Sequence, residues 1–408
     1  MFSIKELKRA FLTSLWFMFL TFPLLVMKVN TITDTVIWRW MNLLYVGVGS
    51  FFLSILWKYL LERRDRKGSS TSRNPLTEKI SKYMEKKNDR YSSMAVLILI
   101  VLLYPFIMSM YQTSILTTAL MYVVLGLGLN IVVGFGGLLH LGYAAFYAVG
   151  AYTYGLLFYH FGLGFWVCLP LGAILSALFG IILGFPILRL RGDYLAIVTL
   201  AFGQMVRLIL ENWNDFSFGP SGIANIPRPD FFGKELNLAQ VTNFTYFIAI
   251  GLTILTIFVI RRMESSKMGR AWEAMREDEI ACQSMGIDIA RAKLTAFSMG
   301  ALWAGIMGVL FAAKTTFINP ASFTTWESIV ILCIVVIGGM GSIPGVIVGA
   351  LLFILTPEYL RAFSQYRMLI FGIALVLMMI FRPGGIIPKV RKSYKFAADK
   401  NKSQEGEA

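Results

Sequence analysis

The sequence predicts an all-α, polytopic integral membrane protein: a helical bundle of about 10–12 transmembrane helices that includes Gly-rich broken helices. The first observation is composition, because 57% of the 408 residues are apolar, 15% are charged and the mean hydropathy is +0.66. Soluble proteins carry roughly 25% charged residues. The second is that apolar stretches of about 17–25 residues recur, the length that crosses a bilayer as a helix. Barrel-type alternation is absent, so helices must satisfy the backbone in lipid.

Candidate spans follow one another along most of the chain. Each is an apolar run bounded by charged or turn-forming residues. In order, they lie at about 10–27, 40–61, 94–111, 114–134, 139–160, 164–188, 194–211, 242–260, 294–313, 327–341, 344–360 and 366–382. Lys5, Lys8 and Arg9 precede the first run, but no small-x-small cleavage site follows it, so it is predicted to be a retained span.

Basic residues are distributed very unevenly between the predicted loops. With both termini on the cytoplasmic side, 29 of the 38 Lys and Arg residues lie on that side, within residues 1–9, 62–93, 189–191, 261–293 and 382–408. This asymmetry is the positive-inside pattern, which predicts a multi-pass membrane protein with cytoplasmic termini. The net charge of +15 thus reflects orientation in the lipid bilayer, and no nucleic-acid partner is expected.

The spans and loops predict four parts. Residues 1–61 form an N-terminal transmembrane hairpin, and 62–93 a basic cytoplasmic linker that contains Gly68 and Pro75. Residues 94–390 form the transmembrane domain, with a polar loop at 261–293. Residues 391–408 form a basic and polar cytoplasmic tail.

Enzymatic motifs and metal-ligand spacings are missing from the sequence. The three cysteines are scattered, and His140 and His160, expected to be hydrogen-bonded residues at helix ends, match no metal-binding spacing. Neither a Walker GxxxxGK[ST] motif nor a GxSxG elbow occurs. We therefore expect no catalytic residues, no metal and no cofactor, and any ATP-driven step needs a partner ATPase.

Two glycine-rich pieces interrupt the predicted transmembrane domain, at 132–146 and 336–350. We call them the first and the second glycine-rich break. Freed amides at interrupted helices in transporters bind carboxylate groups, but glycines also serve close helix packing, and both interpretations stay open. The candidate translocation residues lie in the breaks and the polar spans: Asn130, Gly134, Gly136, Gly137, Tyr143, Tyr147, Thr199, Gln204, Gly338 and Gly339.

Small residues at helical spacing also recur outside the breaks. Gly180 and Gly184 are one pair, and Gly341, Gly345 and Gly349 are predicted to share a helix face, where they let backbones approach closely. Arg207 and Glu211 are four residues apart and are predicted to form an ion pair.

Residues 269–293, GRAWEAMREDEIACQSMGIDIARAK, form a polar segment between two long apolar runs. A helix is predicted from Arg270 to about Met285, ended by Gly286. A small apolar face rimmed by charge suits docking into a protein groove, although a solvated connector would also be charged. The candidate residues for docking to a protein partner are Trp272, Met275, Arg276, Glu279, Ala281, Cys282, Gly286 and Ile287.

Four blocks of the sequence resemble the LivM-type permeases of branched-chain amino acid ABC importers. They are GLGLNIVVGFGGLLHLGYAAFYAVGAY, RLRGDYLAIVTLAFG, GRAWEAMREDEIACQSMG and IGGMGS, in that order along the chain. The likeness extends over essentially all of 1–390. It implies a second homologous permease subunit, two cytoplasmic ABC ATPase subunits and a periplasmic binding protein for leucine, isoleucine and valine.

In this family the polar segment is similar to the "EAA" coupling loop that the ATPases grip. The chain departs from the general motif, because Ile280 stands at the Glu position and Cys282 at the second Ala. A related permease for urea, short amides or other amino acids is the nearest alternative. An ion-coupled secondary transporter is less favoured, since the predicted spans lack mid-helix Asp or Glu.

Overall fold

The computed structural model divides the chain into two compact units, Met1–Val96 and Leu97–Ala408. The predicted spans at 10–27, 40–61, 94–111 and 366–382, the linker and the tail lie wholly or mostly outside the described residues. The structure describes residues 27–30, 35–38, 41, 104–106, 108–187, 190, 192–230, 237–359, 372, 376 and 384–388.

Within the first unit, the described residues form one short antiparallel hairpin. Strand β1 (Met27–Asn30) pairs with β2 (Thr35–Trp38), and Met27 lies opposite Trp38. Both strands fall at or between the ends of the two predicted N-terminal spans.

The second unit is a bundle of helices, which confirms the predicted fold class. Among the described residues, six helices are long and apolar enough to cross a membrane. In chain order the helices are α1 (Met110–Asn130), α2 (Tyr143–Phe161), α3 (Phe165–Ile187), α4 (Asp193–Asn212), α5 (Leu238–Glu264), α6 (Lys267–Glu277), α7 (Glu279–Ser284), α8 (Ile289–Thr315), α9 (Thr325–Gly338) and α10 (Ile343–Tyr359). A π-helix, Ile131–Phe135, continues α1, and Asn214–Ser217 adds one turn after α4.

Helix α8 lies at the centre of this unit. It packs against α1, α2 and α3, and α1 in turn packs against α5 and α10. Small residues make this possible: a Cβ atom on Gly150 of α2 would lie 2.1 Å from the carbonyl oxygen of Gly305 of α8. Gly180 of α3 has the predicted packing role, since a Cβ atom there would lie 2.8 Å from Cβ of Ala301. Backbone proximity thus holds the bundle together by van der Waals contact.

The predicted face of three glycines in the second break needs correction. Gly341 has a φ angle of +84° and precedes α10, which begins at Ile343. Only Gly345 and Gly349 lie on the helix, and both approach the backbone of α9: added Cβ atoms would lie 2.3 Å from the Gly338 oxygen and 2.7 Å from the Ile334 oxygen, respectively. The break therefore ends one helix and starts the next, with glycine contacts closing the corner.

Two short strands join the loops at the end of α8 that lies away from the polar segment. Strand β3 (Ile223–Ala224) pairs antiparallel with β4 (Phe317–Ile318). The loop that carries β3 is also fixed to α2, since the Tyr154 hydroxyl donates to the Pro227 carbonyl at 2.9 Å. These contacts order the connection between α8 and α9.

Candidate functional site

The polar segment contains two helices where a single helix was predicted. Helix α6 ends at Glu277, and Asp278 takes an extended conformation with φ −157° and ψ 114°. Its carboxylate accepts hydrogen bonds from the amides of Ile280 (2.8 Å) and Ala281 (3.0 Å), which caps the start of α7. An N-cap of this kind stabilises a helix start by about 1 kcal/mol, so Asp278 favours a bend at this point.

The predicted end of the segment's helix at Gly286 is confirmed. Gly286 has a φ angle of +81°, which glycine adopts without steric cost, and its amide donates to the Gln283 carbonyl at 3.0 Å. The amide of Ile287 donates to the Cys282 carbonyl at 3.1 Å. Asp288 then caps α8 by accepting from the Arg291 amide at 3.1 Å. The chain therefore turns directly from α7 into the central helix.

Two buried side chains fix the polar segment to the start of α8. Trp272 is 1% exposed, and its indole Nε1 donates to the Ala292 carbonyl at 2.9 Å. Lys293 is 1% exposed and forms an ion pair with Glu279. A buried charge left without its partner is costly, so this pair favours one position of α7 relative to α8.

The eight candidate coupling residues differ in exposure: three are buried, three are exposed and two are intermediate. Trp272, Met275 and Cys282 are buried against the protein's own helices. Arg276, Ala281 and Gly286 are exposed, and Glu279 and Ile287 are intermediate. Exposed apolar side chains lie next to Ala281 and Gly286 in the sequence: Ile280 is 63% exposed and Met285 is 82% exposed. Both helices therefore have exposed residues, but α7 and the turn after it present exposed apolar side chains, whereas α6 buries Trp272 and Met275.

Helix α6 contacts the first glycine-rich break directly. Arg276 Nη1 donates a hydrogen bond to the Gly134 carbonyl. Its side chain covers Gly137, where an added Cβ atom would lie 2.7 Å from Arg276 Cγ. Met275 is also close, with its Cε 3.6 Å from the place of a Cβ atom on Gly136. Three glycines predicted from sequence therefore touch two residues of the polar segment.

The first break also contacts the second. Asn130 is fully buried, and its Oδ1 accepts a hydrogen bond from the Gly341 amide at 2.8 Å. A Cβ atom on Gly134 would lie 1.9 Å from the same oxygen. In the second break, Gly338 ends α9 and Gly339 follows with a φ angle of +118°. A continuous set of contacts therefore runs from α6 through both breaks.

Amide groups at the breaks donate to acceptors within the protein. Besides Gly341, the Leu141 amide donates to Thr199 Oγ1 at 3.1 Å and the Ala144 amide to Ser328 Oγ at 2.9 Å. Gly136 donates to the Ile131 carbonyl and Gly339 to the Val335 carbonyl. In this conformation these amides do not bind a substrate carboxylate, and the contacts match the packing interpretation of the breaks.

The remaining candidate translocation residues occupy different environments. Tyr143 is fully buried and donates to the Gly300 carbonyl at 2.8 Å, and Gln204 of α4 donates to Thr325 of α9. Arg207 and Glu211 form the predicted ion pair at 3.5 Å. Of the ten candidates, Tyr147 alone lines a cavity of about 310 Å³.

His140 differs from its sequence-based expectation. Its ring is fully buried, 5.5 Å from the Phe146 ring and 5.3 Å from the Phe297 ring between centroids. Neither ring nitrogen has a hydrogen-bond partner among the described residues. The expectation of a hydrogen-bonded histidine was wrong, because aromatic side chains of α2 and α8 pack around the ring.

The helices, their apolar lengths and the polar segment define the class: a multi-pass helical membrane protein with the organisation of a transport permease. A family model described as the branched-chain amino acid transport system permease component matches residues 111–380, and the chain belongs to this family. It is 47% identical to the LivM permease protein of Salmonella typhimurium over 329 residues, covering 76% of this chain and 77% of that protein.

Other relatives extend the comparison. The LivM permease protein of Escherichia coli is 46% identical over 334 residues, covering 77% of this chain and 78% of that protein. The LivH permease protein of the same organism is 24% identical over 295 residues, covering 66% of this chain and 93% of that protein. No solved structure gives a significant match.

Proposed function

We propose that this chain is one permease subunit of an ATP-driven ABC importer that carries leucine, isoleucine and valine across a bacterial inner membrane. Its relatives are named as permease proteins of high-affinity branched-chain amino acid transport systems. Permease proteins with two different names, LivM and LivH, are 46% and 24% identical to this chain, which supports pairing of this chain with a second homologous permease subunit. Two cytoplasmic ATPases and a periplasmic binding protein complete the proposed assembly.

The ATPases bind the exposed surface of the polar segment in this proposal. Ile280, Ala281 and Met285 are exposed although all three are apolar. Exposed apolar side chains rimmed by charge are typical of docking sites on protein partners. The positive-inside pattern supports a cytoplasmic position for this surface and for both termini.

The observation that carries the mechanism is the contact between Arg276 and the Gly134 carbonyl. Closure of the ATPases moves α7, and the Lys293–Glu279 pair ties α7 to the start of α8. Arg276 passes the movement to the first break, and the Asn130–Gly341 hydrogen bond passes it to the second. Transporters with interrupted helices alternate access largely by rocking one helix bundle against another, and in this proposal these contacts link ATP hydrolysis to that movement.

A charge placed on the docking surface tests the proposal. Ala281→Glu adds a carboxylate at an exposed position, and we expect it to abolish ATP-driven leucine uptake while membrane insertion stays normal. Gln283→Glu is the matched control, because it adds the same charge on α7 without displacing the small Ala281. Uptake and co-purification of the ATPases are measured for both. Normal uptake by Ala281→Glu would contradict the coupling role.

A further inference from the structure

A cavity of about 310 Å³ lies at the end of the bundle that is away from the polar segment. It is lined by α1, α2, the last turn of α8 and the first turn of α9. Two of its lining residues carry opposite charges: Lys314, next to the C-terminus of α8, and Glu327, near the N-terminus of α9. Charged residues within membrane helices are costly and mark functional sites by default.

The two charges do not neutralise each other. Lys314 Nζ donates to the Ser114 carbonyl at 2.9 Å and to Thr118 Oγ1. Glu327 Oε2 accepts a hydrogen bond from the Tyr122 hydroxyl at 2.5 Å. Within the part of the chain that the structure describes, no ion pair joins Lys314 to Glu327. The cavity thus presents a fixed cation and a fixed anion, each held by neutral groups of α1.

The rest of the wall is mostly apolar and aromatic. Met121 is 2% exposed, and the Tyr147 and Phe311 rings lie 5.3 Å apart between centroids. Phe323 packs behind them, 5.3 Å from the Tyr147 ring and 5.8 Å from the Phe311 ring. A rigid aromatic wall of this kind suits an aliphatic side chain, because apolar burial is favourable without specific geometry.

We propose that this cavity receives the transported amino acid as a zwitterion. The ammonium group of Lys314 binds the α-carboxylate, the carboxylate of Glu327 binds the α-ammonium, and Met121 and Phe311 contact the branched side chain. This inference rests on the proposed function and names the residues that contact the substrate. A zwitterion satisfies both protein charges together, whereas a ligand with one charge leaves the other unpaired. Urea and short amides satisfy neither charge fully.

Both charges also suit the helix termini at which they lie, since a cation stabilises a C-terminus and an anion an N-terminus. If the two charges only stabilised the helix termini, replacing either one would lower the stability of the protein equally with and without ligand. Glu358 of α10 offers a matched comparison, because it accepts a hydrogen bond from Tyr111 of α1, as Glu327 does from Tyr122, yet it does not line this cavity. The two carboxylates therefore differ in access to the cavity.

Uptake is measured with the complete transporter in proteoliposomes, supplied with leucine-loaded binding protein. We expect Glu327→Gln and Lys314→Met to lower leucine uptake about tenfold or more, equivalent to about 1.4 kcal/mol. The ATP hydrolysis that the binding protein stimulates stays within about twofold, because docking and ATPase contacts are unchanged. Glu358→Gln keeps wild-type uptake. Wild-type uptake by both cavity variants would overturn the proposal.

Occupancy is tested separately with a single reporter thiol. Thr315 lines the cavity and is exposed, so Thr315→Cys is labelled by a methanethiosulfonate reagent in a background where Cys168, Cys282 and Cys333 are replaced by Ser. We expect leucine to slow the labelling. We expect no slower labelling with 4-methyl-2-hydroxypentanoate, which lacks the ammonium, or with isopentylamine, which lacks the carboxylate. Adding Glu327→Gln removes the protection by leucine.

Failure of the cavity assignment and failure of the importer function give different results. If the wild-type complex takes up leucine but leucine does not slow the labelling of Thr315→Cys, the cavity is not the site and the importer function stands. Equal protection by leucine and by the hydroxy acid would also overturn the zwitterion assignment. If the wild-type complex takes up no leucine, the proposed function itself fails.

Discussion

The guanidinium of Arg276 holds the carbonyl oxygen of Gly134, which joins the polar segment to the first glycine-rich break. Gly134 lies in the π-helix that ends the first long span, Ile131–Phe135. Carbonyls at a helix end lack partners within the helix, so an arginine that donates to one of them replaces a missing hydrogen bond. A movement of α6 therefore acts on the backbone where the helix is already interrupted.

Arg276→Ala tests this contact. Hydrogen bonds to charged groups contribute about 1.5–3 kcal/mol, so we expect the variant to hydrolyse ATP but to take up leucine several-fold more slowly. The measurement is the ratio of ATP hydrolysed to leucine transported. Arg291→Ala is the control, because Arg291 is 84% exposed in its pair with Asp288, and such surface pairs contribute little. An unchanged ratio for Arg276→Ala would show that the contact carries no coupling.

Local pattern predicted much of the fold and some of the polar segment. Apolar length predicted the spans that became α1, α3, α4, α5 and α8, and spacing of four predicted the Arg207–Glu211 pair. Gly286 ended its helix as expected. These features depend on residues close together in sequence, where helix periodicity and glycine's access to positive φ decide the outcome.

Features that depend on tertiary contacts were beyond the sequence. The bend at Asp278 carries an N-cap signal, but the charged run around it reads as one continuous helix. Burial of Trp272 and Met275 follows from packing against α8 and the first break, which no local pattern reports. Lys314 and Glu327 were separate charges near span ends until the fold brought them to one cavity.

Asn130→Ala is predicted to destabilise the bundle. Asn130 Oδ1 accepts from the Gly341 amide at 2.8 Å in a fully buried setting, and an unsatisfied buried donor costs about 1–3 kcal/mol. We expect a lower midpoint of thermal unfolding for the purified protein in detergent, together with slower uptake. Asn212→Ala is the control, since exposed Asn212 donates, among the described residues, only to the Leu208 carbonyl of its own helix. Equal midpoints for the two variants would contradict the prediction.

Gly305→Ala and Gly251→Ala should act in opposite directions. A Cβ atom on Gly305 would lie 2.4 Å from Ser176 Oγ and 2.5 Å from the Gly172 carbonyl, so α3 and α8 must separate. Overpacking of this kind costs about 1–3 kcal/mol. A Cβ atom on Gly251 meets no atom of the described part of the chain within 4 Å, and alanine favours a helix over glycine by up to about 1 kcal/mol. The midpoint of thermal unfolding is measured for both variants and for the wild type. A wild-type midpoint for Gly305→Ala would show that α3 and α8 have room for the added methyl group.

The thiol of Cys282 reports on the electrostatics of the docking surface. Burial raises its pKa, and the Asp278 carboxylate raises it further by opposing the thiolate. Asp278→Asn removes that negative charge while keeping an N-cap, since Asn and Asp cap helices about equally well. We therefore expect the pKa of Cys282 to fall, so that the pH at which maleimide alkylation reaches half its maximal rate moves downward.

The measurement uses protein in which Cys168 and Cys333 are replaced by Ser, so that only Cys282 is labelled. Asp288→Asn is the control, because Asp288 also caps a helix of this region, α8, but does not contribute to the pKa of Cys282. It should leave the alkylation profile of Cys282 unchanged. If both substitutions shift the profile equally, general loosening of the segment governs the reactivity. If neither does, Asp278 does not act on the thiol, and burial alone raises its pKa.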